Sequence, residues 1–216
     1  MRRFLETGAG ELPKKAIITD DPMRVKMLAA HYLNDSRIVS ENRGMTAFSG
    51  NYGGKPLCLI STGFGESALV NWLTEAINSG VREVVYIGEC VALRAELKLR
   101  DIIVPRVAYG ESGEETPSDN MLRKALSKAA FLGIRVYDTP VYTDGDYWLR
   151  SDLALPGSPC AVDFAAGALF RYASRNGVEA LAALTVSEHA LTGDRVDGAE
   201  RQSRFYNAAR LAIETL

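Results

Sequence analysis

Four short apolar runs, each ending in a polar or glycine-containing turn, constrain this chain most. Lys15 to Thr19, Pro56 to Ser61, Glu83 to Ile87 and Ala180 to Val186 are nearly continuous in apolar residues. Runs this short and uninterrupted are expected of strands covered on both faces. Between and after them lie segments with helical signals. Asp20-Asp21-Pro22 offers an N-cap followed by proline in the first turn. The stretch behind it, Met23 to Leu33, puts Val25, Leu28, Ala29 and Tyr32 on one face. Further helices are expected over Ala68 to Asn78 with Gly80 past its end, Asp119 to Leu132 ending at Gly133, and Asp163 to Arg175 closed by Asn176-Gly177. An amphipathic helix from about Gly198 ends the chain. Alternation of this kind predicts a three-layer α/β single domain, a central mixed β-sheet flanked by helices.

The remaining segments fill in around that frame. Arg37 to Ser40 and Met45 to Tyr52 read as strands, with a turn at Gly53-Gly54. Asp101 to Val107 reads as a strand, Tyr109 to Ser118 as a loop, Arg135 to Thr143 as extended chain and Asp144 to Pro159 as irregular. Residues 1–14 are set apart as an N-terminal segment, and 15–216 as the domain. No internal repeat or interdomain linker is visible.

Composition excludes several function classes. The 216 residues are 47% hydrophobic and 24% charged with net charge −2, and no Lys/Arg run stands out. Nucleic acid is therefore not expected as a partner. The apolar runs are too short to span a bilayer, and the basic start lacks an apolar stretch behind it, so a signal peptide is not expected. Cys58, Cys90 and Cys160 are scattered and odd in number, which suggests reduced thiols in a cytoplasmic protein. With only His31 and His189 to join them, no metal site is expected.

Ligands of open α/β sheets gather beyond strand ends. That points to Asp20-Asp21, Gly63 to Ser67, Gly88-Glu89 and Ser187-Glu188-His189. The ordered set Asp20-Asp21-Pro22-Met23-Arg24, Asn42-Arg43-Gly44-Met45, Gly63-Phe64-Gly65, Ile87-Gly88-Glu89-Cys90, Lys98-Leu99-Arg100-Asp101, Thr185-Val186-Ser187-Glu188-His189 and Ala199-Glu200-Arg201-Gln202 resembles the hexameric purine and uridine nucleoside phosphorylases. The order and spacing hold from about Lys15 onwards.

The resemblance implies cleavage of an N-glycosidic bond through an oxocarbenium-like transition state, and a role in purine or pyrimidine salvage. It implies a small nucleoside-like ligand, no cofactor, phosphate as a candidate co-substrate, and a homo-oligomer, either a dimer or a trimer of dimers. Arg24 and Gly65 stand at ligand positions, and Arg43 would reach into a neighbouring subunit's site. Glu188, preceded by Ser187, takes the place of the acid that protonates the departing base.

The same resemblance exposes departures. Asp20 replaces a glycine of the phosphate cradle, Glu89 replaces a serine, and Tyr86 replaces an arginine. A carboxylate repels phosphate. Ala165 replaces the glutamate that grips the ribose hydroxyls, and it has no side-chain acceptor. The histidine that family members lend across the dimer has no counterpart before Lys15. Each acid also has a structural reading. Asp20 could be a second cap beside Asp21, Glu89 a solvated loop charge, Asp163 either a ribose ligand or the cap of the following helix, and Glu188 a surface loop acid. Tyr142, Tyr147 and Trp148 lie where the family sets aromatic rings against base and sugar. Three functions remain open: a phosphorylase of shifted specificity, a nucleoside hydrolase in which an acid orients water, and a non-catalytic binding or assembly subunit.

Overall fold

Along the first strand, Ala16 and Ile18 enter one hydrophobic cluster and Ile17 the other, all fully buried. Side chains of a strand alternate between faces, so a continuous apolar run means that both faces are covered. In the computed structural model, residues 3–145, 155–203 and 205–216 are described. The elements are β1 (Lys15–Thr19), α1 (Pro22–Tyr32), β2 (Asn34–Asn42), β3 (Met45–Tyr52), β4 (Lys55–Ser61), α2 (Glu66–Asn78), β5 (Glu83–Ala92), β6 (Ile102–Ile103), β7 (Ala108–Gly110), β8 (Gly113–Glu115), α3 (Asp119–Leu132), β9 (Val136–Tyr137), β10 (Val141–Thr143), β11 (Ala161–Asp163), α4 (Ala166–Arg175), β12 (Glu179–His189), α5 (Gly198–Ser203) and α6 (Tyr206–Thr215).

The strands form one mixed sheet in the order β2-β3-β4-β1-β5-β11-β10-β7-β8, with β12 also on β5, β6 on β12 and β9 on β6. Helices α2 and α4 pack on one face; α1, α3 and α6 cover the other. This is the expected three-layer α/β domain. The helix ends follow the sequence signals. The Asp21 carboxylate accepts from the Met23 and Arg24 N–H groups, Gly80 lies past α2, and Gly133 adopts φ 67° at the end of α3. At Gly133 the left-handed backbone favours a residue without Cβ.

Six local expectations need correction. Strand β5 does not stop before Gly88 but runs to Ala92, because β12 pairs with it through Glu89 and beyond. Strand β12 likewise continues through Ser187 and Glu188 to His189. Glu89 and Glu188 are therefore strand residues, not loop residues. Residues 101–107 hold only the two-residue strand β6, while part of the 109–118 segment forms the β7–β8 hairpin. The helix expected from Asp163 begins at Ala166, since Ala161 to Asp163 pair with both β10 and β5. The C-terminal helix is two helices, α5 and α6.

One feature of the register leaves a gap in the pairing along one edge of β5. On one side of β5, the parallel partner β1 ends at Thr19 opposite Ile87. On that same side the antiparallel partner β11 begins its pairing with Asp163 opposite Cys90. Gly88 and Glu89 lie between the two. The carboxyl ends of β1 and β11 thus point at each other across Gly88 and Glu89, and the chain leaves them at Asp20 and at Phe164-Ala165. A change of strand partner at carboxyl ends is where an open sheet admits ligands.

Candidate functional site

Arg24 occupies the first turn of α1 with its side chain only 2% exposed, placed there by the Asp21 cap. Its Nη1 donates to Thr19 Oγ1 at 2.9 Å and to Asp20 Oδ1 at 2.8 Å. Its Nη2 donates to Glu89 Oε1 at 2.9 Å and to the Arg201 carbonyl at 2.7 Å. All four terminal N–H groups of this guanidinium are thereby matched to acceptors within the protein. Its Cζ also lies 5.1 Å from the Phe205 ring centre. Burial acts to lower the Arg24 pKa, and the carboxylates of Asp20, Glu89 and Asp21 more than offset it, so the group stays above its ordinary value.

The chain of charges continues. Arg201, on α5, donates through Nη1 to Glu89 Oε2 at 3.2 Å and through Nη2 to Glu188 Oε1. Asp20, Arg24, Glu89, Arg201 and Glu188 thus form one connected series. Glu89 bridges both guanidinium groups with its two oxygens. Burial and the nearby Asp20 raise its pKa, against the pull of Arg24, Arg201 and a hydrogen bond with Ser187. Ser187 is where β12 slips register against β5, Val186 lying opposite Cys90 and Glu188 opposite Val91. Such a bulge turns the side chains on either side of it; here Ser187 meets Glu89 and Glu188 meets Arg201.

The other expected residues sit around this series with different partners. Gly65, with φ 89°, heads α2, and the Gly63 N–H donates to the Asp20 carbonyl at 3.1 Å. Tyr86 is buried under Gly88, where an added Cβ would collide with its ring. Burial first, then Asp20 and Asp163, keeps its phenol protonated far above the usual range. Asp163 is fully buried and accepts from Thr143 Oγ1 and from the Ala165 and Ala166 N–H groups at 2.9 and 2.6 Å. Its carboxylate thus holds the turn leading into α4, whose N-cap is Ala165 and not Asp163. Ala165 is 1% exposed, and Phe164 packs on Phe64 with ring centres 4.8 Å apart. Arg43 occupies the exposed β2–β3 turn with φ 53°, 5.7 Å from the ring centre of Phe4. Tyr147 and Trp148 lie outside the described residues. Tyr142 lines a different hollow of 880 Å³ together with Glu66, Asp144 and Arg171, none of which joins the charge series. In that hollow Arg171 is already paired with Glu66 at 3.5 Å. We place the site at the charge series because it lies at the strand-partner change and joins three of the expected acids.

Arg201 joins the charge series although its place in the sequence carries no assigned role. Its signal is weak, since an arginine opening a terminal amphipathic helix is usually solvated. A cavity of 520 Å³ adjoins Glu188 and Arg201. Among the described residues no group of three His, Cys, Asp or Glu side chains could hold a metal ion, and no helix is long and apolar enough to cross a membrane.

Where the strand partners change, the mixed sheet thus carries three acids and two arginines in one connected series. A family model described as the phosphorylase superfamily matches residues 14–216, and the chain belongs to that family. Among its relatives, the purine nucleoside phosphorylase DeoD-type of Thermoanaerobacter sp. is 32% identical, covering 94% of each chain. The protein of the same name from Bacillus velezensis is 31% identical over the full length of both. In fold, the chain is similar to purine nucleoside phosphorylase from Toxoplasma gondii in complex with immucillin-H. That match has a TM-score of 0.89 at 18% identity, covering 100% of this chain and 94% of the other. The chain is a nucleoside phosphorylase-like protein.

Proposed function

We propose that this protein breaks the N-glycosidic bond of a nucleoside-like compound at the strand-partner change beside Gly88 and Glu89, with water rather than inorganic phosphate as acceptor. One observation carries the reading: every terminal donor of Arg24, the cation implied to hold phosphate, is taken by Thr19, Asp20, Glu89 and the Arg201 carbonyl. The series holds three carboxylates and two guanidinium groups, and so one net negative charge when all are ionised. A phosphate entering there would have to displace a buried carboxylate from a buried arginine, which costs several kcal/mol.

Water meets no such barrier. Its oxygen bonds to C1′ as the bond from C1′ to the base nitrogen breaks. Glu89, whose pKa is raised, takes the proton that water loses. Glu188 gives a proton to the departing base, and Arg201 holds the Glu188 carboxyl in position. The products are the free base and the free sugar.

A second reading, binding without turnover, is favoured by one specific observation. Asp163 is spent on Thr143 and the start of α4, and Ala165 offers no side-chain acceptor to a ribose hydroxyl. A panel of nucleosides assayed for base release, with and without phosphate, separates the readings. Release that is unchanged by phosphate is expected. Release that requires phosphate overturns the choice of acceptor, and no release from any nucleoside leaves binding alone.

A further inference from the structure

The cavity beside Glu188 contains a second cation to which the family resemblance assigns no role. After His189 the chain turns back on itself. The His189 N–H donates to the Asp194 carbonyl and the Val196 N–H to the Ser187 carbonyl, each at 2.9 Å. Between these two bonds, Glu188 and Arg195 form an antiparallel bridge. Residues directly opposed in such a pair project from the same face, with Cβ atoms about 4.5–5.5 Å apart. Arg195 therefore stands on the face of Glu188. The Glu188 carboxylate nonetheless turns to Arg201. Arg195 itself takes no side-chain hydrogen bond or ion pair among the described residues.

Both side chains open into the 520 Å³ cavity, lined by Glu188, Arg195, Val196, Asp197, Gly198 and Arg201. The other acid of the wall, Asp197, is committed, since its Oδ1 accepts from the Glu200 N–H at 2.8 Å. Arg201 is committed to Glu89 and Glu188. Arg195 is thus the cation of this wall that remains to meet a ligand. A guanidinium carries five N–H donors and no acceptor. A ring carbonyl oxygen satisfies it, whereas an exocyclic amino group sets donor against donor.

We propose that this cavity receives the base and that Arg195 is a specificity residue reading a carbonyl oxygen on it. The preferred substrates would then be nucleosides of oxo-substituted bases, an oxopurine ahead of the matching aminopurine. The inference rests on the reading that Glu188 meets the departing base.

The test compares a 6-oxopurine and a 6-aminopurine nucleoside of the same sugar, with wild type, Arg195→Ala and Arg195→Lys. Arg195→Ala is expected to lower kcat/KM for the oxo substrate roughly tenfold or more, chiefly through KM, and to change the amino substrate by about twofold at most. Arg195→Lys should recover part of the loss, because an ammonium still donates. Equal losses on both substrates, or none, overturn the assignment. Calorimetric titration of hypoxanthine and adenine into wild type and Arg195→Ala makes the same comparison without turnover. A wild type that cleaves nothing, yet binds hypoxanthine preferentially through Arg195, ends the hydrolytic reading and keeps this one. If the wild type shows no such preference in binding, Arg195 does not read the base.

Discussion

The Arg24 guanidinium donates to Glu89 across 2.9 Å, tying the first turn of α1 to the middle of β5. The pair is nearly dry, with side-chain exposures of 2% and 12%. Arginine and glutamate here satisfy one another in the place where the sequence resemblance implies an anion. Inorganic phosphate should accordingly fail to bind with Kd below about 1 mM near neutral pH. Replacing Asp20 by Gly and Glu89 by Ser together frees donors on Arg24 and Arg201 and should tighten phosphate about ten- to hundredfold. Calorimetric titration of phosphate into both proteins decides this, and micromolar affinity in the wild type refutes it.

Arg201 reaches two acids, Glu89 and Glu188, from a helix of only six residues. Its removal leaves two partly buried carboxylates facing each other without their shared cation, which is costlier than losing an exposed pair. Base release by Arg201→Ala should fall about a hundredfold or more, comparably to Glu188→Ala. If Arg201→Ala retained full kcat while Glu188→Ala lost it, Arg201 would not be positioning the acid.

Asp163 makes stability depend on pH. Burial pushes its carboxyl up to about 6 from the ordinary 3.8, although Thr143 and the Ala165 and Ala166 N–H groups hold it lower than burial alone would. A raised carboxyl means that the folded chain binds more protons than the unfolded one between those two values. Its contribution to stability is therefore greatest below the unfolded value and declines as pH rises towards 6. The decline is on the order of 3 kcal/mol. Urea denaturation of wild type and Asp163→Asn at several pH values isolates it. The stability advantage of wild type over the variant should shrink from pH 4 to pH 6, and a constant difference would rule the account out.

Arg43 projects from the exposed β2–β3 turn, held over Phe4. A cation placed there serves a neighbour's site more readily than a buried function of its own chain. Sedimentation should show a dimer or a ring of dimers. Arg43→Ala should lower base release with little change in thermal midpoint. A monomer in solution, active and indifferent to this substitution, would show that no residue acts between subunits.

Much of this protein is determined by its sequence alone. The double-sided burial of β1, β4 and β12 shows in uninterrupted apolar runs, because local alternation reports directly on which faces are covered. The Asp21 cap and Gly133 are equally plain, because caps and left-handed positions depend on near neighbours. The acids Asp20, Glu89 and Glu188 stand out by position. Their partnerships do not. Arg201 meets Glu89 across 112 residues of sequence, and Arg24 meets the Arg201 carbonyl across 177. That Gly88 and Glu89 lie between the ends of β1 and β11, rather than in a loop, depends on the registers of strands far apart in the chain. Sequence periodicity carries face but not register, and charge carries sign but not distance. Only the folded sheet decided that Asp20 and Glu89 are the acids that occupy Arg24.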